Sequence, residues 1–105
     1  MAEITMKYSV VGMELLTANL GFYDAEIPEA LQIYLQFLME YALDEFAEMK
    51  IYLKPGVLKD DMDQMTYAAW MYRKGVTGEG KTEVLKSIIR NRQMRNALAD
   101  GEGTS

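Results

Sequence analysis

Residues 29–50 read EALQIYLQFLMEYALDEFAEMK, and the placement of polar positions in that stretch decides the fold class. Glu29, Gln32, Gln36, Glu40, Asp44 and Glu48 advance by three or four places, which traces one narrow stripe along an α-helix. Leu31, Ile33, Tyr34, Leu35, Phe37, Leu38, Tyr41, Ala42, Leu43, Phe46 and Met49 fill more than half of the circumference. That is too much for a helix resting one face on a core, so the pattern predicts a central helix covered by neighbours on several sides. Each large apolar side chain fully buried contributes about 1.5–3 kcal/mol before the entropy of ordering the chain is subtracted.

On the N-terminal side, Tyr8, Val11, Leu15 and Leu16 share a face at helical spacing. They predict a first helix from about Lys7 to Leu20, weakened at Gly12 and capped at Gly21. Phe22 to Ile27 reads as a turn, and Pro28 before Glu29 suits the first turn of the next helix. On the C-terminal side, Lys54, Pro55 and Gly56 cannot continue a helix, so the central helix is expected to stop near Lys50, with Ile51 to Leu53 as a short extended piece. A third helix is expected from Asp60 or Asp61, acting as N-cap, to Lys74, with Met62, Met65, Ala69 and Tyr72 on one stripe and Gly75 closing it. After a glycine-rich loop to Lys81, Thr82 is expected to cap a fourth helix that points Val84, Leu85, Ile88 and Ile89 inward. The expected fold is therefore all-α, a small bundle of about four helices forming one domain over residues 1–105. Residues 1–6 and 100–105 are expected to be flexible ends.

The inventory narrows the function. Without cysteine or histidine, disulfides, thiolate or imidazole zinc sites and histidine acid/base chemistry are excluded, and no enzyme, cofactor or metal is expected. No apolar run is long enough for a membrane span, and the N-terminus lacks the order of a signal peptide. The net charge of -5 is unevenly distributed. Glu26, Glu29, Glu40, Asp44, Glu45 and Glu48 precede the single Lys50, whereas Lys86, Arg90, Arg92 and Arg95 share the fourth helix with the single Glu83. Such polarity favours head-to-tail contact between copies; the plainer reading is two solvated helix faces.

Three motifs bear on chemistry. Gly75, Gly80, Lys81 and Thr82 spell the phosphate-loop pattern G-x-x-x-x-G-K-[ST]. That loop requires a strand upstream and a second, acid-ended strand for magnesium, and the sequence offers neither. A glycine loop followed by a threonine cap accounts for the residues more simply. Glu40 with Asp44, or Glu45 with Glu48, could pair around a metal, but the histidine that usually completes such bundle sites is missing. Arg90, Arg92 and Arg95 could meet phosphates and Asn91, Gln93 and Asn96 base edges, yet the acidic balance argues against a dedicated DNA binder.

Asp60-Asp61-Met62-Asp63-Gln64, then Tyr67-Ala68-Ala69-Trp70-Met71-Tyr72-Arg73-Lys74, then Leu85 and Ile88-Ile89-Arg90-Asn91-Arg92 form a pattern that resembles the head-tail connector family of long-tailed bacteriophages, also known as DNA-packaging or head-completion adaptors. The family shows an acidic N-cap, a tyrosine- and alanine-rich helix and a closing helix with an Arg-Asn-Arg-like patch in this order. Relatives often carry proline and arginine at the start of the closing helix, where this chain has Thr82 and Lys86. The resemblance implies a structural virion protein, assembled in the host cytoplasm and located in the neck. It would form a ring with copies of itself, typically a dodecamer, between the portal protein and a stopper or tail-completion protein. Genomic DNA would pass through the channel without sequence-specific binding. For the ring contact, Arg73, Lys74, Arg90, Arg92 and Arg95 are expected on one side and Glu40, Asp44 and Glu48 on the other. Tyr67, Trp70 and Tyr72 are expected in the core or lining a groove, with interface anchoring as the lesser role. The same acidic stripe could instead line the channel and repel phosphates. Two other classes fit the sequence: a small nucleic-acid-binding regulator and a phage protein that binds a host protein.

Overall fold

The computed structural model describes residues 7–22, 26–75 and 79–103. The lead-in Met1 to Met6, residues 23–25 of the first turn, 76–78 of the glycine loop and 104–105 of the tail lie outside the described residues. Over the described residues the fold is an all-α bundle of four helices: α1 (Val10–Asn19), α2 (Glu29–Glu48), α3 (Leu58–Lys74) and α4 (Lys81–Gly103). Among the described residues there is no strand, and no helix is long and apolar enough to cross a membrane.

Local chemistry explains most helix ends. Ser9 caps α1, its Oγ accepting from the Gly12 amide at 2.9 Å, so the helix starts three residues later than Lys7. At the far end Gly21 is left-handed at φ 87°, the Gly21 amide donates to Ala18 and the Phe22 amide donates to Thr17, which closes the helix as expected. The end of α2 has the same geometry without glycine. Lys50 takes φ 65° while its amide donates to Ala47 and the Ile51 amide donates to Phe46. Lys54-Pro55-Gly56-Val57 forms a turn closed by the Val57 amide on the Lys54 carbonyl at 3.0 Å, with proline second and left-handed Gly56 third.

Several boundaries differ from the sequence reading. The helix α3 starts at Leu58, two residues before Asp60, with Val57 in the cap position. Neither Asp60 nor Asp61 is its N-cap; both are buried inside the first turn and accept amides of the preceding turn. Thr82 is the second residue of α4 and exposed, because the Gly80 carbonyl already accepts the Val84 amide. The helix α4 continues to Gly103, so most of the tail expected to be disordered is helical.

The largest correction concerns which helix lies at the centre. The helix α3 packs against all three others, while α4 lies against α3 and α2 against α1 and α3. Burial follows: α3 hides Met65, Tyr67, Ala68, Ala69 and Met71, and its small alanines let neighbours come close. By contrast α2 buries a single face, Leu35, Leu38, Met39, Ala42 and Phe46. Ile33 is 58% exposed and Phe37 46% exposed, on the opposite side. The apolar excess of α2 is thus not covered within the chain; Tyr34, Phe37 and Tyr41 pack on one another at the surface, with ring centroids 6.3 and 5.8 Å apart. Gly12 of α1 sits where an added Cβ would meet Met39 Cε at 3.1 Å and Ser9 Oγ at 3.2 Å, so a larger residue there would require both side chains to shift.

The two faces of α2 can be told apart by truncation. Leu38→Ala should cost about 2–5 kcal/mol by urea denaturation, as a core truncation does, whereas Ile33→Ala should stay within about 0.5 kcal/mol. Equal losses would restore α2 as a helix covered on all sides.

Candidate functional site

The first two turns of α3 bury Asp60, Asp61, Asp63 and Gln64, and each is held by groups from distant parts of the chain. Asp61 accepts from Ser9 Oγ at 2.8 Å and from the Gly56 amide at 3.1 Å. Gln64 Nε2 donates to the Lys7 carbonyl at 2.6 Å and to the Met39 carbonyl at 2.8 Å. Asp60 accepts from the Lys54 amide at 2.9 Å and from Arg92 at 2.6 Å, and Asp63 accepts from Arg92 at 3.1 Å and Arg95 at 2.8 Å. These side chains therefore fasten the start of α1, the turn after α2, the middle of α2 and the middle of α4 to one place. Charge-assisted bonds of this kind offset the desolvation that would otherwise keep carboxylates at the surface.

A second tie fixes the start of α4. Lys81 forms an ion pair with Glu45, donates to the Tyr41 hydroxyl at 3.0 Å and lies 4.8 Å from the centre of the Tyr41 ring. Hydrogen bonds to Glu45 and Tyr41 hold its ammonium above the usual lysine range. Beside it, burial with help from the Glu45 charge pushes the Tyr67 hydroxyl up to about 12. The lysine of the phosphate-loop pattern is thus engaged by a carboxylate, and the segment upstream of Gly75 is the helix α3 where that motif needs a strand.

The expected site residues separate into two groups. Arg92 and Arg95 serve the fold, since their guanidinium groups bond Asp60 and Asp63 of the same chain. Arg73 is exposed but donates to the Asn19 carbonyl at 3.0 Å. Tyr67 is fully buried against Phe46 and Trp70, which removes it from any surface. Trp70 is half-buried over a hollow of about 220 Å3 shared with Asn19, Thr66 and Val84, and Tyr72 is half-buried between Phe22 and Tyr34. Lys74 and Arg90 are exposed, as are Asp44 and Glu48, with Glu40 half-exposed beside them; Lys7 lies 3.8 Å from Asp44.

Sequence reasoning missed the buried polar group that includes Gln64, its partner Ser9, and the separate tie of Lys81 to Glu45. The available signal was the spacing of Asp60, Asp61, Asp63 and Gln64, which cannot all lie on the one exposed strip of a helix. It also missed the exposed Ile33 and Phe37. Among the described residues no cluster of acidic side chains is arranged to hold a metal ion.

Fold and site together define a small four-helix bundle with a buried polar centre and outer faces of opposite charge. Compared with protein-family models, curated proteins and solved structures, the chain matches none.

Two outcomes test this assignment. Arg92→Ala should cost about 2 kcal/mol, because it strips partners from two buried carboxylates, while exposed Arg90→Ala should stay within about 0.5 kcal/mol. The alkaline limb of stability tests the Lys81 and Tyr67 pair. Both pKa values are raised on folding, so their contribution is complete below the ordinary values near 10 and is lost as pH rises through the folded ones. The thermal midpoint should fall steadily above about pH 10, and Tyr67→Phe should flatten that fall.

Proposed function

We propose that this chain is a structural virion component that forms a ring between portal and tail in a long-tailed bacteriophage, extends the DNA channel and offers a docking surface to a stopper or tail protein. The observation that carries the reading is the separation of exposed charge: Asp44 and Glu48, with Glu40, lie on the outer side of α2, and Lys86 and Arg90 lie on the outer side of α4. Within the chain α4 meets α2 through Lys81 at its start, and the outer sides that carry these charges stay uncovered, so one copy can present both surfaces at once. A contact of this head-to-tail kind closes into a ring when its rotation divides a full turn. The resemblance of Asp60 to Arg92 to the connector family supports the same assignment.

The folded chain changes the membership of the contact. Arg92 and Arg95 are neutralised by Asp60 and Asp63, while Lys74, Lys86 and Arg90 are among the cations exposed to a neighbour. The same neutralisation lowers the attraction of α4 for nucleic acid and weighs against a regulator that grips duplex DNA.

Electron microscopy of purified capsid-tail complexes should place the chain in the neck as a closed ring. Combined Glu40→Lys, Asp44→Lys and Glu48→Lys substitution should leave the thermal midpoint within a few degrees, since these side chains are outside the core, yet abolish ring formation and reduce phage titre. An undiminished titre with normal particles counts against the reading.

A further inference from the structure

The outer edge of α4 carries Lys86, Arg90, Met94 and Leu98 at four-residue intervals, and all four are exposed. Met94 and Leu98 are 58% and 67% exposed, which is unusual for large apolar side chains four residues apart on one helix. Along the chain the order is two cations followed by two apolar groups. The outer edge of α2 has the reverse order: exposed Ile33 and Phe37, then Glu40 and Asp44.

We propose that α4 of one copy lies antiparallel along the outer edge of α2 of a second copy, and that this is the contact through which the chain self-assembles. The pairing rests on the ring reading above for its biological setting and on the two edges for its chemistry. Running antiparallel, Leu98 covers Ile33, Met94 covers Phe37, Arg90 faces Glu40 and Asp44, and Lys86 faces Asp44 and Glu48. Four residues advance a helix by about 6 Å on either side, so the apolar and charged pairs stay in step along the whole contact. A parallel arrangement would set Lys86 and Arg90 on Ile33 and Phe37 and the two apolar residues on carboxylates, desolvating charge without a partner. The occupant is a second copy because α4 offers both the spacing and the sign that α2 lacks, while within one chain α4 packs against α3. Each copy donates one edge and receives on the other, so the contact is heterologous and propagates around an axis.

The absence of cysteine makes the register directly readable. Phe37→Cys and Met94→Cys chains, purified separately, checked for unchanged thermal midpoints, then mixed and oxidised, should form a disulfide-linked heterodimer. Asp44→Cys with Met94→Cys, displaced by about 10 Å along the helix, should not. Arg90→Glu in the Met94→Cys chain should lower the yield at least about tenfold, and Glu40→Lys with Asp44→Lys in the Phe37→Cys chain should restore it. Absence of the 37–94 product overturns the pairing whether or not rings form, and equal linkage through position 44 overturns the register. A 37–94 product from a chain missing from finished particles keeps the pairing and overturns the connector reading.

Discussion

Four polar side chains at the start of α3 are buried, and they persist only because groups from the rest of the chain come to meet them. A carboxylate removed from water costs several kcal/mol unless it is paired and hydrogen-bonded, so Asp60, Asp61 and Asp63 dictate where Ser9, Gly56, Arg92 and Arg95 must be. Apolar burial by itself is tolerant of sliding and rotation. Directed bonds at about 3 Å are not, and here they set the height at which α1 crosses α3 and the rotation of α4 about its own axis. One core then joins Met65, Tyr67, Ala68, Ala69 and Met71 of α3 with Leu35, Leu38 and Phe46 from α2 and with Leu85 and Ile88 from α4.

This division of labour leaves outer surfaces unconstrained by folding. Because α4 turns Arg92 and Arg95 inward, the side of the helix opposite them faces outward and carries Arg90, Met94 and Leu98. In the same way α2 needs one face for the core, and its remaining apolar residues Ile33 and Phe37 stay outside. Exposed apolar side chains flanked by charges of one sign are what a protein-protein contact needs: area for affinity and charge for register.

Helix number, helix order and several of the turns were legible in the sequence because glycine, proline and apolar period act locally. Gly21, Gly75 and Pro55-Gly56 fall where their backbone requirements placed them. The central position of α3 was not legible, since hydropathy counts aspartate as surface and cannot see an arginine thirty residues away that neutralises it. For the same reason Asp60 or Asp61 reads as the helix N-cap, and Arg92 and Arg95 as cations available to a neighbour. The excess of apolar residues on α2 was read correctly as a count and wrongly as a location: a surplus beyond one face signals either a covered helix or an uncovered contact, and the pattern alone does not separate them. Tyr67 belongs to the core, the first of the places expected for it.

The polar centre also bears on how the chain reaches its native state. Ser9 and Asp61 are 52 positions apart, Lys7 and Gln64 are 57 apart, and Arg92 and Asp60 are 32 apart. A helical protein normally gains from near neighbours and folds fast, but these bonds form only after long loops have closed, with no reward until they do. The cost of closing those loops is met by the packing of the whole bundle, so the start of the chain, α3 and α4 are held in place by one another and not by their own neighbours in sequence.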